Sequence, residues 1–141
     1  MDMHKPTAGH AALRRGRCSA PGQIYLLTFS TCARRQWFAQ PRLAMPCCLA
    51  VHQLHQQTDA RLMAWVLMPE HWHGLLQLGE KTTLSAWVAR CKSMTTRAMP
   101  PDIPRPLWSR GFHDHAVRRD EDLLQIARYI ILNPVRAGLA I

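Results

Sequence analysis

Hydrophobic and polar positions along the chain follow two periods, and the alternation between these periods predicts the structural elements. The apolar, β-branched and aromatic run over 24–31 predicts a first strand. A helical period over 41–57 predicts a helix, whose well-formed part is expected after Pro46 because proline lacks a hydrogen-bond donor. Two further apolar runs, over 62–67 and 71–79, flank a Pro-containing turn and predict two adjacent strands.

The second half of the chain continues this alternation. Thr83 is expected to cap a helix with one apolar face, and a proline-rich segment after that helix predicts an irregular linker. A strand is expected over 111–118, and Asp120 is expected to cap a last helix that bears Tyr129. The predicted fold class is therefore α+β: a ferredoxin-like βαββαβ antiparallel sheet with helices on one face, plus a C-terminal tyrosine-bearing helix.

One stretch at the second of the two middle strands carries candidate chemistry. His71 and His73 alternate along this strand, so both imidazoles should share one face while Trp72 points into the core. Two neutral imidazoles side by side form half of a divalent-metal site. The alternative is that a His-x-His pair arises by chance in a chain with eight histidines.

Several stretches, taken in chain order, resemble one protein family. Two motifs are similar to those of the single-tyrosine HUH transposases of the IS200-like superfamily, specifically the REP-associated tyrosine transposases: Met68-Pro69-x-His71-x-His73 and Tyr129-x-x-x-Asn133-Pro134-Val135-Arg136-Ala137-Gly138-Leu139. The remaining similarity lies in 21–28, 107–114 and 120–123. The resemblance therefore extends over most of the chain.

This resemblance implies an enzyme that performs metal-dependent cleavage and strand transfer of single-stranded DNA at hairpin, REP-like sequences. Tyr129 would be the nucleophile and form a covalent 5′-phosphotyrosine, while His71 and His73 would hold Mg²⁺ or Mn²⁺. The resemblance also implies a monomer that needs no nucleotide cofactor. For Tyr129 the alternative is a helix tyrosine with its ring in the core. Glu70, where the family usually has Asn or Asp, is expected to have little effect.

Asn133 is predicted to supply the third metal ligand. It follows Tyr129 by four residues, so a helix would place both side chains on one face and toward the same cavity. The alternative is that Asn133 only caps the helix before Pro134. His113 and His115 form a second His-x-His pair, which we interpret as part of a strand near the DNA path, since no third ligand accompanies it.

Net charge indicates a class of partner. The 141 residues carry a formal charge of +9, and such an excess attracts polyanions, of which nucleic acid is the commonest. The alternative is a charge needed only for solubility. The predicted DNA contacts are Arg14, Arg15 and Arg17 in a flexible basic arm over residues 1–20, Arg34 and Arg35 beside aromatic residues, Arg90, Lys92 and Arg97 on one helix, and Arg136.

Residues 21–141 are interpreted as a single HUH transposase-like catalytic domain. The sequence ends at Ile141, where relatives usually continue into an aromatic-rich tail, so either that tail is dispensable or the copy is impaired. The five cysteines form no C-x-x-C pair, which fits a reducing compartment. Without a signal peptide or a membrane-spanning run, the protein is expected in the cytoplasm, associated with the nucleoid and with no membrane partner. An impaired hairpin-binding module and a phosphohydrolase that uses water stay open as alternatives.

Overall fold

The computed structural model describes residues 19–118 and 120–138. Four strands and two long helices form the body of the fold. The strands are β1 (Ile24–Ser30), β2 (Arg61–Met68), β3 (His71–Gln77) and β4 (His113–Ala116). The helices are α1 (Pro41–Gln57), α2 (Leu84–Arg97), α3 (Leu123–Ile131) and the single turn α4 (Asn133–Arg136), and two short 3-10 turns lie at Cys32–Arg34 and Trp37–Ala39.

The strands form one antiparallel sheet in the order β2-β3-β1-β4. This order, with α1 between β1 and β2 and α2 between β3 and β4, is that of the βαββαβ ferredoxin-like unit, so the predicted fold class is confirmed. In the central pairing, Ile24 lies opposite Gln77 and Ser30 lies opposite His71. The tight Pro69-containing turn between β2 and β3 therefore places His71 at the start of β3, beside the end of β1.

The main core lies between the sheet and the helices α1 and α2. Strand β1 buries every second residue on this side, namely Tyr25, Leu27 and Phe29, as period-two alternation requires. Trp72 is fully buried on the same side and stacks on Phe29, with ring centroids 5.1 Å apart. The prediction that Trp72 points into the core is therefore confirmed.

Helix α3 covers part of the opposite face of the sheet. Its Ile130 is fully buried and forms a smaller cluster with Ala64 of β2, Leu75 of β3 and Val117. The sheet is thus packed on both sides, with the larger core on one side and α3 on the other. The second face is the one that carries His71 and His73, because Leu75 shares their parity along β3.

Several local predictions are corrected by the structure. Helix α1 runs without interruption from Pro41 to Gln57, with Pro46 inside it, so the expectation that its well-formed part begins only after Pro46 is wrong. The carbonyl that Pro46 leaves without a donor belongs to Arg42, which is exposed, and water can therefore satisfy it. The predicted strand over 111–118 is shorter, His113–Ala116.

The cap of α3 is Asp122 rather than the predicted Asp120. The Asp122 carboxylate accepts hydrogen bonds from the backbone N–H groups of Leu124 and Gln125. Asp120 instead lies 3.4 Å from the Arg118 guanidinium in an exposed ion pair. The cap predicted at Thr83 is confirmed, since its hydroxyl accepts from the N–H of Ala86 at 3.2 Å.

The proline-rich segment between α2 and β4 is irregular, as predicted, yet it contributes to the core. Ile103, Leu107 and Trp108 are buried in it, and the Trp108 indole N–H donates to the Thr95 hydroxyl at 2.8 Å. Thr31, just after β1, pairs with Trp108 in an isolated β-bridge. Within the described part of the chain, no helix combines the length and apolar character needed to cross a membrane.

Candidate active site

His71 and His73 lie on one face of β3, as their alternation predicts. Ser30 and Thr28 of β1 lie opposite them on one side, and Met68 and Val66 of β2 on the other. The two imidazole centroids are 6.3 Å apart, with a 64° angle between the rings. The pair therefore occupies the middle of the sheet, between two paired strands.

Backbone and side-chain oxygens of β1 hold the His73 ring. Its Nδ1 lies 3.0 Å from the Leu27 carbonyl oxygen and 2.6 Å from the Thr28 hydroxyl. A carbonyl can only accept, so Nδ1 carries the proton and Nε2 has the lone pair. Burial lowers the pKa of His73, and the nearby His71 and Arg136 contribute further, while the hydrogen bond to the Leu27 carbonyl opposes them. The ring is thus kept in the neutral form that binds metals.

Glu70 holds the His71 ring in a similar way. Its carboxylate oxygen lies 2.9 Å from His71 Nδ1, and because a carboxylate only accepts, Nδ1 again carries the proton. Burial opposes ionisation of Glu70, but the hydrogen bond from His71 and the nearby charge of Arg34 outweigh it and lower the pKa of Glu70. Glu70, which was expected to have little effect, directly contacts a predicted metal ligand.

The two histidines suit a metal ion, although they do not complete a site. Nε2 of each ring makes no hydrogen bond to the described residues, and second-shell acceptors on Nδ1 are the usual support of ligating histidines. The described residues contain no group of three or more His, Cys, Asp or Glu that could hold a metal ion. A further ligand would therefore come from an amide, a phosphate or water.

Tyr129 lies near the C-terminal end of α3, and its side chain is directed to solvent, with 57% of the residue exposed. The alternative of a tyrosine ring in the core is therefore wrong. The Arg136 guanidinium lies 3.7 Å from the centroid of the Tyr129 ring and donates to the Tyr129 carbonyl. Because Ile130 of α3 packs against Leu75 on the histidine-bearing face, Tyr129 and Arg136 lie on the same side of the sheet as His73.

A single non-helical residue separates Asn133 from the end of α3, the helix that bears Tyr129. Helix α3 ends at Ile131 with Leu132 as its C-cap, and Asn133 then begins the turn α4. Its side-chain amide makes no hydrogen bond to the described residues, so the alternative that it caps α3 finds no support. The role of Asn133 as a metal ligand stays a prediction.

The second histidine pair shares the face of the first. Thr28 lies opposite His73 on one side and opposite His113 on the other, so His113 and His115 project from the same face across β1. His115 Nε2 contacts the Glu121 carboxylate at 3.0 Å. This contact joins the strand to the start of α3, and the described residues around it form no metal-binding cluster.

The predicted DNA-contacting residues have different surroundings. Arg14, Arg15 and Arg17, with the rest of the basic arm to residue 18, lie outside the described residues. Arg90 and Arg97 are exposed on α2, and Arg35 is exposed with its guanidinium 5.6 Å from the centroid of the Trp37 ring. Arg34 reaches back to the Ser30 hydroxyl at 3.1 Å.

Lys92 corrects one of these predictions. Its ammonium group donates to the carbonyls of Ser109 and Gly111, at 2.8 Å and 2.5 Å, and lies 5.5 Å from the centroid of the Phe29 ring. Lys92 therefore anchors the segment before β4 instead of presenting its charge to a ligand. The helical period alone could not show this, because the contacts are with a segment far along the chain.

Thr28 and Arg110 are residues that sequence reasoning missed. Thr28 contacts His73, and its position two residues before Ser30 on the polar side of β1 was an available signal. Arg110 is exposed in the turn before β4, and only the assembled sheet shows that this turn lies beside the end of β1, on the other side of that strand from His71.

Comparison with known proteins assigns the family. Residues 20–133 match the family model described as Transposase IS200 like. A REP-associated tyrosine transposase of Escherichia coli K12 is 30% identical over 91 residues, covering 63% of this chain and 53% of the relative. A Haemophilus influenzae protein, provisionally named a REP-associated tyrosine transposase, is 31% identical over 88 residues, covering 54% of this chain and 50% of the relative. The chain thus spans about half the length of these curated relatives.

Solved structures show the same fold. The structure of a REP-associated tyrosine transposase bound to a REP hairpin matches with a TM-score of 0.73 and 22% identity, covering 99% of this chain and 76% of that one. At this identity the likeness concerns the fold alone. The family match, which spans well over half of the chain and includes both histidines and Tyr129, supports the further conclusion that this chain belongs to the IS200-like transposase family.

Proposed function

We propose that the protein cleaves and transfers single-stranded DNA at hairpin sequences, through a covalent bond between Tyr129 and a DNA 5′-phosphate. The observation that carries this proposal is the placement of Tyr129. Its exposed phenol projects from the helix that packs on the histidine-bearing face of the sheet, and the Arg136 guanidinium lies against its ring. We therefore propose that a nucleophile, a cation and two imidazoles act on one phosphate.

The proposed chemistry is a pair of transesterifications. The Tyr129 phenol loses its proton and its oxygen attacks phosphorus, the bond from phosphorus to the 3′-oxygen breaks, and that oxygen leaves as a 3′-hydroxyl after taking up a proton. A second 3′-hydroxyl then attacks the phosphotyrosine and releases the tyrosine. Each step exchanges one phosphoester for another, so neither a nucleotide cofactor nor an external energy source is needed.

His71 and His73 would hold a divalent cation through their Nε2 atoms, with Asn133 as a proposed third ligand. A bound cation would supply Lewis-acid polarisation of the phosphate oxygens. Two imidazoles fit Mn²⁺ better than Mg²⁺, which prefers oxygen ligands. In the protein, Leu27, Thr28 and Glu70 orient the two rings before any ligand arrives.

Hairpin DNA is the proposed partner. The structural neighbour named above is described as bound to a REP hairpin, and the E. coli relative carries the REP-associated name. The formal charge of +9 in this chain fits a polyanionic ligand. We propose that this protein binds the same class of ligand and acts as a monomer.

A second candidate is a hairpin-binding module that has lost its chemistry. It is favoured by one observation: the described residues contain no group of three or more His, Cys, Asp or Glu that could hold a metal ion. Binding would then depend on charge and stacking, while no bond to DNA would form.

The test is a denaturing gel of the protein with a labelled hairpin oligonucleotide and Mn²⁺. The wild-type protein should give cleaved product and a covalent protein–DNA adduct, and Tyr129→Phe should give neither. Tyr25→Phe, which removes the phenol oxygen of the only other tyrosine, is the matched control and should retain both. An adduct with Tyr129→Phe would eliminate Tyr129 as the nucleophile. Product without adduct in the wild type would indicate hydrolysis by water, and binding with neither product nor adduct would favour the module.

A further inference from the structure

A groove lies on the far side of β1 from the two histidines. It is formed where the end of β1 and the turn after it face the segment that leads into β4, and we call it the β1–β4 groove. Its volume is about 240 Å³. The polar part of its lining consists of Ser30, Arg34, Ser109, Arg110, Gly111 and His113, and the buried rings of Phe29 and Phe112 complete it.

The lining of the β1–β4 groove attracts anions. Arg34, Arg110 and His113 are exposed and come from both sides of it, and the residues that line it include no acidic side chain. The Ser30 hydroxyl accepts from Arg34 and keeps its own proton to donate, whereas the Ser109 hydroxyl donates to the Thr31 carbonyl. Several cationic or neutral donors around a space of this size suit one phosphate with its sugar, since a DNA duplex is far wider than the groove.

The walls of the groove are held in place by the fold. On one side, Ala33 and Arg34 both adopt left-handed backbone conformations, with φ of 58° and 51°, and the chain turns back so that Arg34 Nη1 donates to the Ser30 hydroxyl. On the other side, Lys92 donates to the carbonyls of Ser109 and Gly111.

The groove adjoins the candidate active site through β1. Ser30 lines the groove and lies opposite His71, and Thr28 lies between His73 and the groove residue His113. Strands β3 and β4 flank β1, so they are separated by two strand spacings, about 10 Å. A nucleotide that neighbours a phosphate held at the histidines would therefore reach the groove.

We propose that the β1–β4 groove binds the backbone phosphate of a nucleotide that flanks the scissile phosphate in single-stranded DNA, with Arg110 as its main cationic contact. This inference rests on the proposed function, because it places the strand relative to His71 and His73. It adds a binding site that sets which phosphate lies at the metal-binding histidines. Specificity for a base is not part of it, since the groups in the lining are suited to phosphate.

The test measures binding without chemistry, in EDTA and in the Tyr129→Phe background. The probe is a single-stranded oligonucleotide in which one phosphate at a time is replaced by a neutral methylphosphonate. Replacement of the flanking phosphate should weaken binding about tenfold, the effect of one charge-assisted hydrogen bond. Arg110→Ala should weaken binding of the unmodified strand by the same factor and reduce its salt dependence by about one counterion.

Coupling between the two changes decides the matter. In Arg110→Ala, the methylphosphonate at the flanking position should cause no further loss of binding affinity. In Arg110→Lys, it should still weaken binding, although by less than in the wild type. Arg61→Ala removes an exposed arginine at the far end of edge strand β2, opposite Gln77, and should leave every methylphosphonate effect unchanged. If no single phosphate couples to Arg110, or if inorganic phosphate binds the groove as tightly as the strand does, the proposal is overturned.

Failure of this inference and failure of the proposed function give different results. An adduct on Tyr129 without coupling at Arg110 would remove the groove and leave the transferase. Coupling at Arg110 without any adduct would leave the groove as part of a binding module.

Discussion

Replacing Glu70 with alanine should weaken metal binding without unfolding the protein. The carboxylate lies 2.9 Å from His71 Nδ1, and both side chains are about one-fifth exposed, at 21% and 18%. The pair is therefore partly shielded from water, and its hydrogen bond fixes both the tautomer and the orientation of the imidazole. Glu70→Ala leaves the His71 ring without this acceptor, so its proton can move to Nε2, the atom needed for the metal.

The expected magnitude follows from the kind of contact that is lost. Removal of a second-shell partner of a ligating histidine weakens metal binding by about 10- to 100-fold, or roughly 1.4–2.7 kcal/mol. The Arg34 charge cannot replace the lost carboxylate, because without Glu70 beside it this charge would repel the metal cation. Thr28 and Leu27 still hold His73, so the loss should lie toward the lower end of that range.

Two measurements on the purified protein test this prediction. Calorimetric titration with Mn²⁺ gives the dissociation constant, and ¹⁵N NMR of the histidine side chains without metal gives the tautomer of His71. Glu80→Ala is the matched control, because it removes the same charge from an exposed position. Glu70→Ala with wild-type Mn²⁺ affinity and a His71 ring still protonated at Nδ1 would refute the role of Glu70.

Two further predictions concern packing and the third ligand. Gly74→Ala should destabilise the fold by ~1–3 kcal/mol, measured by urea denaturation against Ser85→Ala, because a Cβ at this position would overlap the fully buried Trp72 indole; an unchanged midpoint would contradict this packing. Asn133→Ala should weaken Mn²⁺ binding, with cleavage partly restored at high Mn²⁺ and little change in melting temperature without metal. Lower stability at unaltered Mn²⁺ affinity would show instead that Asn133 serves only the fold.

The parts of the fold that depend on local patterns were predictable from the sequence. Period two along β3 separates His71 and His73 from Trp72 whatever the rest of the chain does, and the structure agrees. Thr83 precedes an apolar helical period and is the cap for the same local reason. The order of the elements is then enough to predict the arrangement of the strands in the sheet, because a βαββαβ chain has few ways to cover one apolar face.

Choices between similar residues were not predictable. Asp120, Glu121 and Asp122 stand in succession, and each is a suitable residue at the start of a helix. The structure uses Asp122 as the cap, while Asp120 pairs with Arg118 and Glu121 accepts from the N–H of Arg118 and contacts His115 of β4. The contact with His115 depends on the position of β4 in the sheet, which no local pattern contains.

Specific side-chain contacts could not be predicted from the sequence either. A helical period assigns Lys92 to the polar face of α2, but its ammonium group is used by carbonyls of the segment before β4. The hydrogen bond between Glu70 and His71 joins neighbours in sequence, yet it depends on side-chain rotamers, which residue types alone do not specify. These contacts determine how the candidate site is oriented.

The two halves of the candidate site are held with different strength, and this follows from the two packed faces of the sheet. His71 and His73 flank Trp72, whose indole is fully buried and lies near the rings of Phe29, Trp65 and Trp87, so the metal-binding half is tied to the largest core. Tyr129 lies on α3, which is anchored by the smaller cluster around Ile130 and has exposed Leu124 and Ile131 beside it. Segments with fewer buried contacts open at lower free energy. A transferase of the proposed kind needs the phosphotyrosine to move away from one 3′-hydroxyl and toward another, and we expect α3, which has fewer buried contacts, to be the half that moves.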